Sequence, residues 1–430
     1  MIHNVPGCQR KFILFAPGCR TNQAEGEAYA SQMEAAGWTR TSDLGEADLA
    51  LVAGCVVTAR AERDTRRFLH RSRRDAPRLK AALLGCLAER LALHPDPAYA
   101  PDLIVRLKER SLLPELVESL FGSVPVVSGE GMADSGFFFV PTFKTQDKSR
   151  YFFKIQDGCD AGCTYCLVRQ VRGPLASLPL PRILAHLQAL LRHGVKEVVF
   201  CGTRLGRYGG DLGDGSSLIR LAQALEGMEG EFRWRLSSIE PWDIPEAFLD
   251  TLQECPRFCR FFHIPVQSGS DAVLKRMNRP YRAQDYRARI ESIRARFPGA
   301  RIGTDVMTGF PGEDAEEFHE TQRFLRNCRV DYLHIFSFSR RPGLPRLSPE
   351  VPPGQIKARR KALLRLDAQK REEDRSRRLG GRVSALSIGT HGFLEDNLFC
   401  RFEDPRPAGV FVPCTITGWD GATARVKIEV

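Results

Sequence analysis

The chain has 430 residues, 43% of them hydrophobic, and a formal net charge of +11. This length and hydrophobic content exclude a disordered chain and predict about three domains. No apolar run reaches the roughly 18 residues of a membrane span. The start MIHNVPGCQRKF lacks the pattern of a signal peptide. These two observations predict a cytoplasmic protein with no membrane address. In a reducing compartment, the 13 cysteines are expected to be metal ligands or buried small hydrophobes rather than a disulfide framework. The excess of Lys and Arg favours a polyanionic partner.

Residues 10–128 alternate short apolar runs with helical stretches, which is the pattern of βαβ units. The predicted strands are KFILFA, DLALVA, KAALLG and DLIV. Their order predicts an α/β N-terminal domain with a flavodoxin-like or Rossmann-like parallel sheet. No GxGxxG follows the first strand, which argues against dinucleotide binding.

A second alternating block covers residues 149–345, after a predicted linker over residues 129–148. Its six predicted strands are YFFKIQ, KEVVFCG, FRWRLSS, RFFHIPV, RIGTDVMTG and YLHIFSF. Six βα units are too few for a complete eight-unit barrel. The block therefore predicts an open, partial (β/α)6 barrel with its chemistry at the C-terminal ends of the strands.

The last part of the chain changes character twice. Residues 346–378 contain QIKARRKALLRLDAQKREEDRSRR, a basic helix with ten cations and four acids. Such a helix is either a solvated connection or a surface that faces nucleic acid. Residues 379–430 then show short strands separated by turn signals such as EDPRPAG and WDGA, which predict a small C-terminal β-barrel.

Three cysteines follow the first strand of the second block in the stretch FKIQDGCDAGCTYCLVRQ. We call Cys159, Cys163 and Cys166 the loop triad. Three thiolates on one loop suit a cubane iron–sulfur cluster that leaves one iron open for another ligand. The alternative is a structural zinc ion with a distant fourth ligand.

Three more cysteines each follow a predicted strand of the N-terminal domain and open a helix. We call Cys19, Cys55 and Cys86 the sheet triad. In a parallel sheet the loops that follow the strands meet at one edge, so the three thiols are expected to form a second cluster site. Buried structural cysteines are the alternative.

Together these features resemble the methylthiotransferase family of radical S-adenosylmethionine enzymes, over nearly the whole chain from about residue 11. The resemblance implies that the loop triad is the catalytic set, holding a [4Fe–4S] cluster whose open iron binds S-adenosylmethionine before its reductive cleavage to a 5′-deoxyadenosyl radical. It also implies that the sheet triad holds an auxiliary [4Fe–4S] cluster. The C-terminal module is similar to the TRAM domain, a small barrel that binds RNA or protein.

Four segments resemble the branch of this family that acts on N6-threonylcarbamoyladenosine, a base next to the tRNA anticodon. They are FCGTRLGRYGGDL, WRLSSIEP, HIPVQSGSDAVLKRMNRPY and IGTDVMTGFPGE. The branch uses one S-adenosylmethionine as methyl donor and a second as radical source, and the methylthio group is added at C2 of the adenine.

Each of these segments falls at the C-terminal end of a predicted strand, where a cofactor would bind. The expected cofactor-binding residues are Gly202, Ser238, Gln267, Ser268 and Asp305. Gly202 also reads as a simple turn glycine, and Asp305 as a structurally satisfied carboxylate. The candidate substrate clamps are Arg276 and Arg279, for which a solvated helix face is the alternative.

The chain departs from the family pattern in three places. After Arg172-Gly173 the usual Ser-Arg element is replaced by PLASLPLP, so the charged contacts expected at 174–180 are absent. Cys55 is preceded by Ala-Gly in place of Asn-Thr, and Asp314 stands where Thr is usual. None of these changes removes a cysteine of either triad.

The resemblance implies four partners in the reaction: tRNA, S-adenosylmethionine, a protein that supplies electrons and a source of sulfur. Three alternatives remain open from the sequence. They are the same chemistry on isopentenyl-modified adenosine, methylthiolation of a ribosomal-protein aspartate, and a non-catalytic iron–sulfur module that binds RNA.

Overall fold

The structure is a computed structural model that describes residues 10–122 and 149–429. Contacts divide these residues into two compact units, one of 10–122 with 167–176 and one of 149–166 with 177–429. The predicted linker over residues 129–148 lies outside the described residues, and the predicted domain boundaries stay predictions. In the described ranges, no helix is both long and apolar enough to cross a bilayer.

The first unit is built on a five-stranded sheet whose strand pairs all run parallel, with the order β2-β1-β3-β4-β5. Its strands are β1 (Lys11–Phe15), β2 (Thr39–Arg40), β3 (Leu49–Ala53), β4 (Lys80–Leu84) and β5 (Leu103–Ile104). Its helices are α1 (Arg20–Ala35), α2 (Ala59–Asp75), α3 (Cys86–Leu93), α4 (Leu113–Ser119) and the later α5 (Val168–Arg172), with a 3₁₀ helix over Leu107–Leu112. The predicted parallel sheet is confirmed, and β2 is an edge strand too short for the sequence to show.

The central strand of this sheet, LALVA in β3, is buried at every position, as expected of a parallel strand covered on both faces. The basic helix α2 packs through a narrow stripe at helical spacing that contains Ala61, Thr65, Leu69 and Ser72. Its first turn is capped by Thr58, whose hydroxyl accepts a hydrogen bond from the Ala61 amide at 3.2 Å. The rest of α2 therefore faces away from the core.

The second unit begins with the predicted partial barrel, and all six predicted strands are confirmed. They are β6 (Arg150–Asp157), β8 (Glu197–Gly202), β9 (Arg233–Leu236), β10 (Phe261–His263), β11 (Arg301–Thr308) and β12 (Tyr332–Ser337). They pair in parallel as β6-β8-β9 and β10-β11-β12, and single bridges from Trp234 and Ser238 join the two groups. A two-residue strand, β7 (Ala176–Ser177), adds to the β6 edge within the altered segment 174–180.

Helices alternate with these strands as the sequence predicts. They are α6 (Leu180–Arg192), α7 (Leu218–Glu226), α8 (Glu246–Gln253), α9 (Asp271–Arg276), α10 (Ala283–Arg296) and α11 (Ala315–Asn327). Two 3₁₀ turns, Leu205–Arg207 and Pro241–Asp243, follow β8 and β9 at the carboxyl ends of the strands. Those ends carry the cysteine loop and most of the predicted cofactor-binding residues.

The chain ends with a long helix and a closed barrel. The predicted basic helix is present as α12 (Pro353–Arg378). The barrel has the order β13-β14-β15-β17-β16, which confirms the predicted small β-barrel. Its strands are β13 (Arg382–Ser387), β14 (Gly389–Leu394), β15 (Phe399–Arg406), β16 (Phe411–Asp420) and β17 (Thr423–Ile428).

A buried carboxylate attaches this C-terminal barrel to the partial barrel. Glu197, which is 0% exposed on β8, accepts ion pairs from Arg150, Arg233 and Arg235 at 2.6 to 2.8 Å. The same guanidiniums of Arg233 and Arg235 donate to backbone carbonyls of the C-terminal barrel, those of Ser384, Phe393 and Leu394. Burial alone would raise the pKa of Glu197, but the three guanidiniums outweigh it and lower this pKa to about 2.

Two candidate cysteine sites

The loop triad lies in the segment between β6 and α5, directly after the carboxyl end of β6. All three cysteines are of intermediate exposure. Burial is the main cause that raises the pKa of Cys159. Half-exposed thiols at a strand end differ from the buried cysteines of a hydrophobic core.

A second segment holds the cysteine loop in place. The Asn278 side chain donates to the Gly162 carbonyl at 2.8 Å, and the Thr164 hydroxyl donates to the Arg276 carbonyl at 3.0 Å. Asn278 has a left-handed backbone with φ of +57°, a conformation that an asparagine tolerates better than most residues. The loop is therefore fixed by residues far from it in sequence.

Arg279 is the predicted residue that comes nearest to the loop triad. Its guanidinium donates to the Cys163 Sγ at 3.5 Å, pairs with Glu240 and lies 4.5 Å from the centre of the Trp242 ring. The side chain is 2% exposed, so the alternative of a solvated helix face does not apply to it. It places a buried positive charge beside the thiols.

Arg276, the other predicted clamp, is engaged differently. It makes a two-pronged ion pair with Glu317 at 2.6 and 2.9 Å and is 38% exposed. The structure therefore places Arg276 in a salt bridge within the unit, and its role as a substrate clamp stays a prediction.

The predicted cofactor-binding residues are brought to the carboxyl ends of successive strands. Gln267 has a φ of +68°, and its buried Oε1 has no hydrogen-bond partner within the described ranges. A non-glycine residue in this conformation is strained, and such strain is concentrated at functional sites. Gly202 closes β8 against Gln156, since a Cβ on Gly202 would lie 2.8 Å from the Gln156 Oε1.

Two serines of the prediction differ from each other. Ser268 is fully buried, and its hydroxyl exchanges a hydrogen bond with the Thr321 hydroxyl at 3.0 Å. This contact gives Ser268 a packing role, and its cofactor contact stays a prediction. Ser238 is exposed just beyond β9 and pairs through its backbone with His263.

Asp305 on β11 is held between two histidines. Its Oδ1 lies 2.8 Å from the Nδ1 of His334 and 3.2 Å from the Nε2 of His263. Burial would raise the pKa of Asp305, but the two imidazoles outweigh it and lower this pKa. The same contact raises the pKa of His334. The sequence did not identify these histidines, although both belong to predicted strands.

The sheet triad lies at one edge of the first sheet, where β1, β3 and β4 end. The Cys55 thiol is hydrogen-bonded to Cys19, which is the main cause that lowers the Cys19 pKa to about 6 and raises the Cys55 pKa. Burial raises the pKa of the third thiol, Cys86, to about 11. The predicted convergence of the three loops is therefore present.

Each cysteine of the sheet triad follows a glycine, and the glycines permit close approach of the three loops. A Cβ on Gly18 would lie 2.7 Å from the Cys55 Cβ. A Cβ on Gly85, whose φ is +78°, would lie 2.9 Å from the Gly54 carbonyl oxygen. These contacts leave no room for a side chain at those positions.

A buried ion pair that the sequence reading missed lies against the sheet triad. Arg172 on α5 donates from its Nε to the Cys86 Sγ at 3.0 Å and pairs with Glu25 on α1 at 2.6 Å. One signal was available: Thr21, Asn22 and Glu25 place polar side chains on the buried face of α1, one and two turns after Cys19. The contact with Arg172 joins residues 147 positions apart and leaves no local pattern.

Among residues 10–122 and 149–429, no three His, Cys, Asp or Glu side chains are grouped as ligands of a single metal ion. The triads are therefore assessed by their donor chemistry. Each offers three cysteine side chains at the carboxyl edge of a parallel sheet, and thiolates are the ligands of iron–sulfur clusters. The glycine-lined approach at the sheet triad and the clamped loop of the other triad fit such a group.

Two family descriptions match the chain. "Radical SAM superfamily" covers residues 153–325, and "Uncharacterized protein family UPF0004" covers residues 11–95. The first range contains the loop triad and the second contains the sheet triad.

Curated relatives match most of the chain. The threonylcarbamoyladenosine tRNA methylthiotransferase MtaB of Thermotoga maritima is 36% identical over 80% of this chain and 78% of its own length. The tRNA-2-methylthio-N(6)-dimethylallyladenosine synthase of Natranaerobius thermophilus is 32% identical over 79% of this chain and 76% of its own length.

A solved structure agrees in fold. The radical S-adenosylmethionine methyltransferase TsrM from Kitasatospora setae superposes with a TM-score of 0.55 at 12% identity, covering 76% of this chain and 73% of that one. This likeness concerns the fold alone. The identity and coverage of the curated relatives, together with the two cysteine triads, establish that the chain belongs to the methylthiotransferase family of radical S-adenosylmethionine enzymes.

Proposed function

We propose that the chain adds a methylthio group to C2 of N6-threonylcarbamoyladenosine in tRNA, with one S-adenosylmethionine as methyl donor and a second as radical source. The observation that carries the proposal is the pair of thiol triads, each at the carboxyl edge of a parallel sheet in a unit of its own. Methylthiolation needs two sites, because radical formation and sulfur storage are separate tasks. The relative from Thermotoga maritima supports the choice of base.

The two triads have different tasks in this proposal. Cys159, Cys163 and Cys166 hold a [4Fe–4S] cluster with an open iron, and Cys19, Cys55 and Cys86 hold an auxiliary [4Fe–4S] cluster. When bound, the first supplies the electron that cleaves S-adenosylmethionine, and the second holds the sulfur to be transferred.

The chain's own residues support the first task by charge and by shape. Arg279 places a buried cation 3.5 Å from the Cys163 Sγ, and its positive charge is complementary to a negatively charged ligand set. The Trp242 ring and Glu240 fix the orientation of this guanidinium. Gln267 presents an amide oxygen that has no partner among the described residues, at the end of the partial barrel, and such an oxygen is available for a polar contact with a bound cofactor.

The exposed charge supports an RNA substrate. Between residues 60 and 78 eight arginines are exposed: Arg60, Arg63, Arg66, Arg67, Arg71, Arg73, Arg74 and Arg78. The same stretch contains three acids, Glu62, Asp64 and Asp75. We call this surface the α2 arginine face. Guanidinium groups pair with phosphates in two-pronged geometry, so an arginine-rich face suits a nucleic-acid backbone.

Four arginines of the α2 arginine face, Arg60, Arg67, Arg71 and Arg74, pair with acids but stay exposed. By contrast, half of the cations of helix α12 are buried or partly buried in the second unit. Six of its ten cations contact acids or backbone carbonyls: Arg359, Lys370, Arg371, Arg375, Arg377 and Arg378. Its reading as a connecting helix therefore accounts for most of its charge, and the α2 arginine face is the better candidate for RNA contact.

The reaction also needs an electron donor protein and a source of sulfur. We propose that both act in the cytoplasm, where tRNA is modified.

The deciding experiment is mass-spectrometric nucleoside analysis of bulk tRNA from cells with and without this protein. We expect the methylthio form of threonylcarbamoyladenosine to disappear and its precursor to accumulate, with return on complementation by the intact chain. A chain with the loop triad replaced by alanine is the matched control and is expected to restore nothing.

The other outcomes separate the alternatives. Loss of the methylthio form of isopentenyladenosine instead would move the substrate to that base, as in the relative from Natranaerobius thermophilus. If every methylthio-nucleoside is unchanged, tRNA is the wrong substrate or the chain is inactive, and the proposal is wrong.

A further inference from the structure

The Arg172 guanidinium, described above beside the sheet triad, is held in one orientation. Its Nη1 and Nη2 donate to the two oxygens of Glu25 at 2.6 and 2.7 Å, which leaves the Nε–H directed at the Cys86 Sγ at 3.0 Å. The side chain of Arg172 is 2% exposed and that of Glu25 is 1% exposed. A second cation, Arg110, lies 3.5 Å from Glu25.

Placing these charged groups in a hydrophobic core is unfavourable for the free energy of folding, and well-packed apolar residues often serve stability as well or better. The ions buried here include Arg172, Arg110 and Glu25. Arg172 brings its positive charge within hydrogen-bonding distance of the Cys86 thiol, where it would stabilise a negatively charged group.

A second observation points to the same place. Asn22 is 0% exposed, and neither its Oδ1 nor its Nδ2 has a hydrogen-bond partner in the described part of the chain. The amide lies between two loops of the sheet triad, because a Cβ on Gly18 would be 2.6 Å from Oδ1 and one on Gly85 would be 3.3 Å from Nδ2. Leaving a buried polar group unpaired costs about 1–3 kcal/mol.

We propose that Arg172 and Asn22 are positioning residues that donate N–H hydrogen bonds to the sulfur atoms of the sheet-triad site, and that Glu25 orients Arg172 for this task. The inference rests on the proposed function, because it takes the sheet triad as the holder of the auxiliary cluster. Hydrogen bonds to sulfur and a nearby positive charge stabilise the more negative state of such a cluster and so raise its reduction potential.

The test uses the full chain with Cys159, Cys163 and Cys166 replaced by alanine, so that one cluster site is left. Iron and sulfide per chain are measured after anaerobic reconstitution, and the reduction potential by a redox titration followed by electron paramagnetic resonance. The variants are Arg172→Met, Arg172→Lys and Asn22→Ala. The control is Arg169→Met, an exposed residue of the same helix α5.

We expect Arg172→Met to shift the reduction potential to more negative values. Arg172→Lys should show a smaller shift, because it keeps the positive charge, and Asn22→Ala should give a smaller shift in the same direction. Arg169→Met is expected to have the same potential as the chain in which only the loop triad is replaced. If Arg172→Met does not take up iron, the test rests on Arg172→Lys, which keeps a cation for Glu25 but lacks the Nε donor. The proposal is overturned if the lysine variant has the same reduction potential as the chain in which only the loop triad is replaced.

The chain in which only the loop triad is replaced separates the two proposals. If this chain takes up no iron, the assignment of the auxiliary cluster to the sheet triad is wrong, and the inference is overturned with it. If it takes up iron and all variants share one potential, only the positioning role of Arg172 and Asn22 is overturned.

Discussion

The two cysteine triads differ in how the chain assembles them. The loop triad comes from one short loop after β6, so its three thiols are neighbours before the protein folds. The sheet triad comes from three loops between Cys19 and Cys86, and its thiols meet only when β1, β3 and β4 have paired. The difference teaches that the sheet triad comes together only in the folded sheet, whereas folding is needed at the loop triad only to fix the loop, through Asn278 and Arg276.

The two triads also differ in the exposure of their thiols and in the position of the neighbouring arginine. The loop triad is half-exposed and has Arg279 at one edge. At the sheet triad, Cys55 and Cys86 are buried and Cys19 is exposed, and Arg172 contacts Cys86 from a segment that follows it by more than 80 residues in sequence. The sheet triad therefore has two thiols and a charged partner inside the first unit, whereas all three thiols of the loop triad are partly exposed.

Replacing a whole triad has the largest expected effect. We expect the change of Cys19, Cys55 and Cys86 to alanine to halve the iron per chain after anaerobic reconstitution, from about eight to about four atoms for cubane clusters. Methylthio transfer is lost, while reductive cleavage of S-adenosylmethionine persists. Replacing the loop triad is the counterpart, with the same iron loss but no cleavage. Unchanged iron in either variant contradicts the assignment of that triad.

The buried Glu197 cluster tests how much the attachment of the C-terminal barrel contributes to the stability of the second unit. We expect Glu197→Gln to lower the free energy of unfolding by about 3–5 kcal/mol, because it leaves buried guanidiniums without their carboxylate. Glu231→Gln is the control, since Glu231 forms an exposed pair with Lys196 and is expected to change stability by less than about 1 kcal/mol.

The same carboxylate predicts a pH dependence. The pKa of Glu197 in the folded chain is about 2, below its ordinary value of 4.5, so the carboxylate stabilises the fold above pH 4.5. This contribution is lost as the pH falls from 4.5 towards 2. Unfolding free energies of the metal-free protein across this range should therefore fall less steeply for Glu197→Gln than for the unchanged chain. Parallel curves would contradict the prediction.

A smaller effect is expected from replacing a glycine beside each triad, and the two replacements can be compared directly. A Cβ on Gly18 would lie 2.6 Å from the Asn22 Oδ1 and 2.7 Å from the Cys55 Cβ, whereas one on Gly162 would meet only the Asn278 Nδ2 at 2.8 Å. We expect Gly18→Ala to cost about 1–3 kcal/mol and to reduce iron at the sheet triad. Gly162→Ala should remove less iron from the loop triad, because the added Cβ meets the end of one side chain and the Thr164 hydrogen bond to the Arg276 carbonyl still holds the loop. Equal iron loss in both would remove the contrast between the triads.

The smallest expected effect concerns the α2 arginine face. We expect Arg67→Glu with Arg71→Glu to weaken tRNA binding and to reduce the magnitude of its salt dependence by about two, since each lost phosphate contact removes about one from this slope. Arg360→Glu with Arg365→Glu on α12 is the control, because it changes the net charge equally at exposed positions. An equal loss in both pairs would show that total charge, rather than this face, governs binding.

The sequence predicted those features whose signal is local. The apolar runs predicted all six strands of the partial barrel. The spacing of the cysteines predicted the loop triad, and their positions after three predicted strands predicted the sheet triad. The strands β2 and β7 have two residues each and carry no periodic signal. The Arg172–Glu25 pair and the Asp305–His334 contact depend on tertiary packing between distant segments. The basic pattern of α12 shows the acids three and four residues from Arg371, Arg375 and Arg378. It could not show that Arg359 and Lys370 are paired, because their partners lie in other segments.

The return of residues 167–176 to the first unit has a consequence for the modularity of the chain. A fragment that stops at residue 122 would contain the sheet triad and Glu25 but not α5. Its buried carboxylate would keep Arg110 and lose Arg172, which lies closer to it than Arg110 does. The first unit is therefore discontinuous in sequence, and gene fission at the connection between the two sheets would divide one folding unit rather than separate two. Any split or transplanted version of this unit must carry the helix α5 with it.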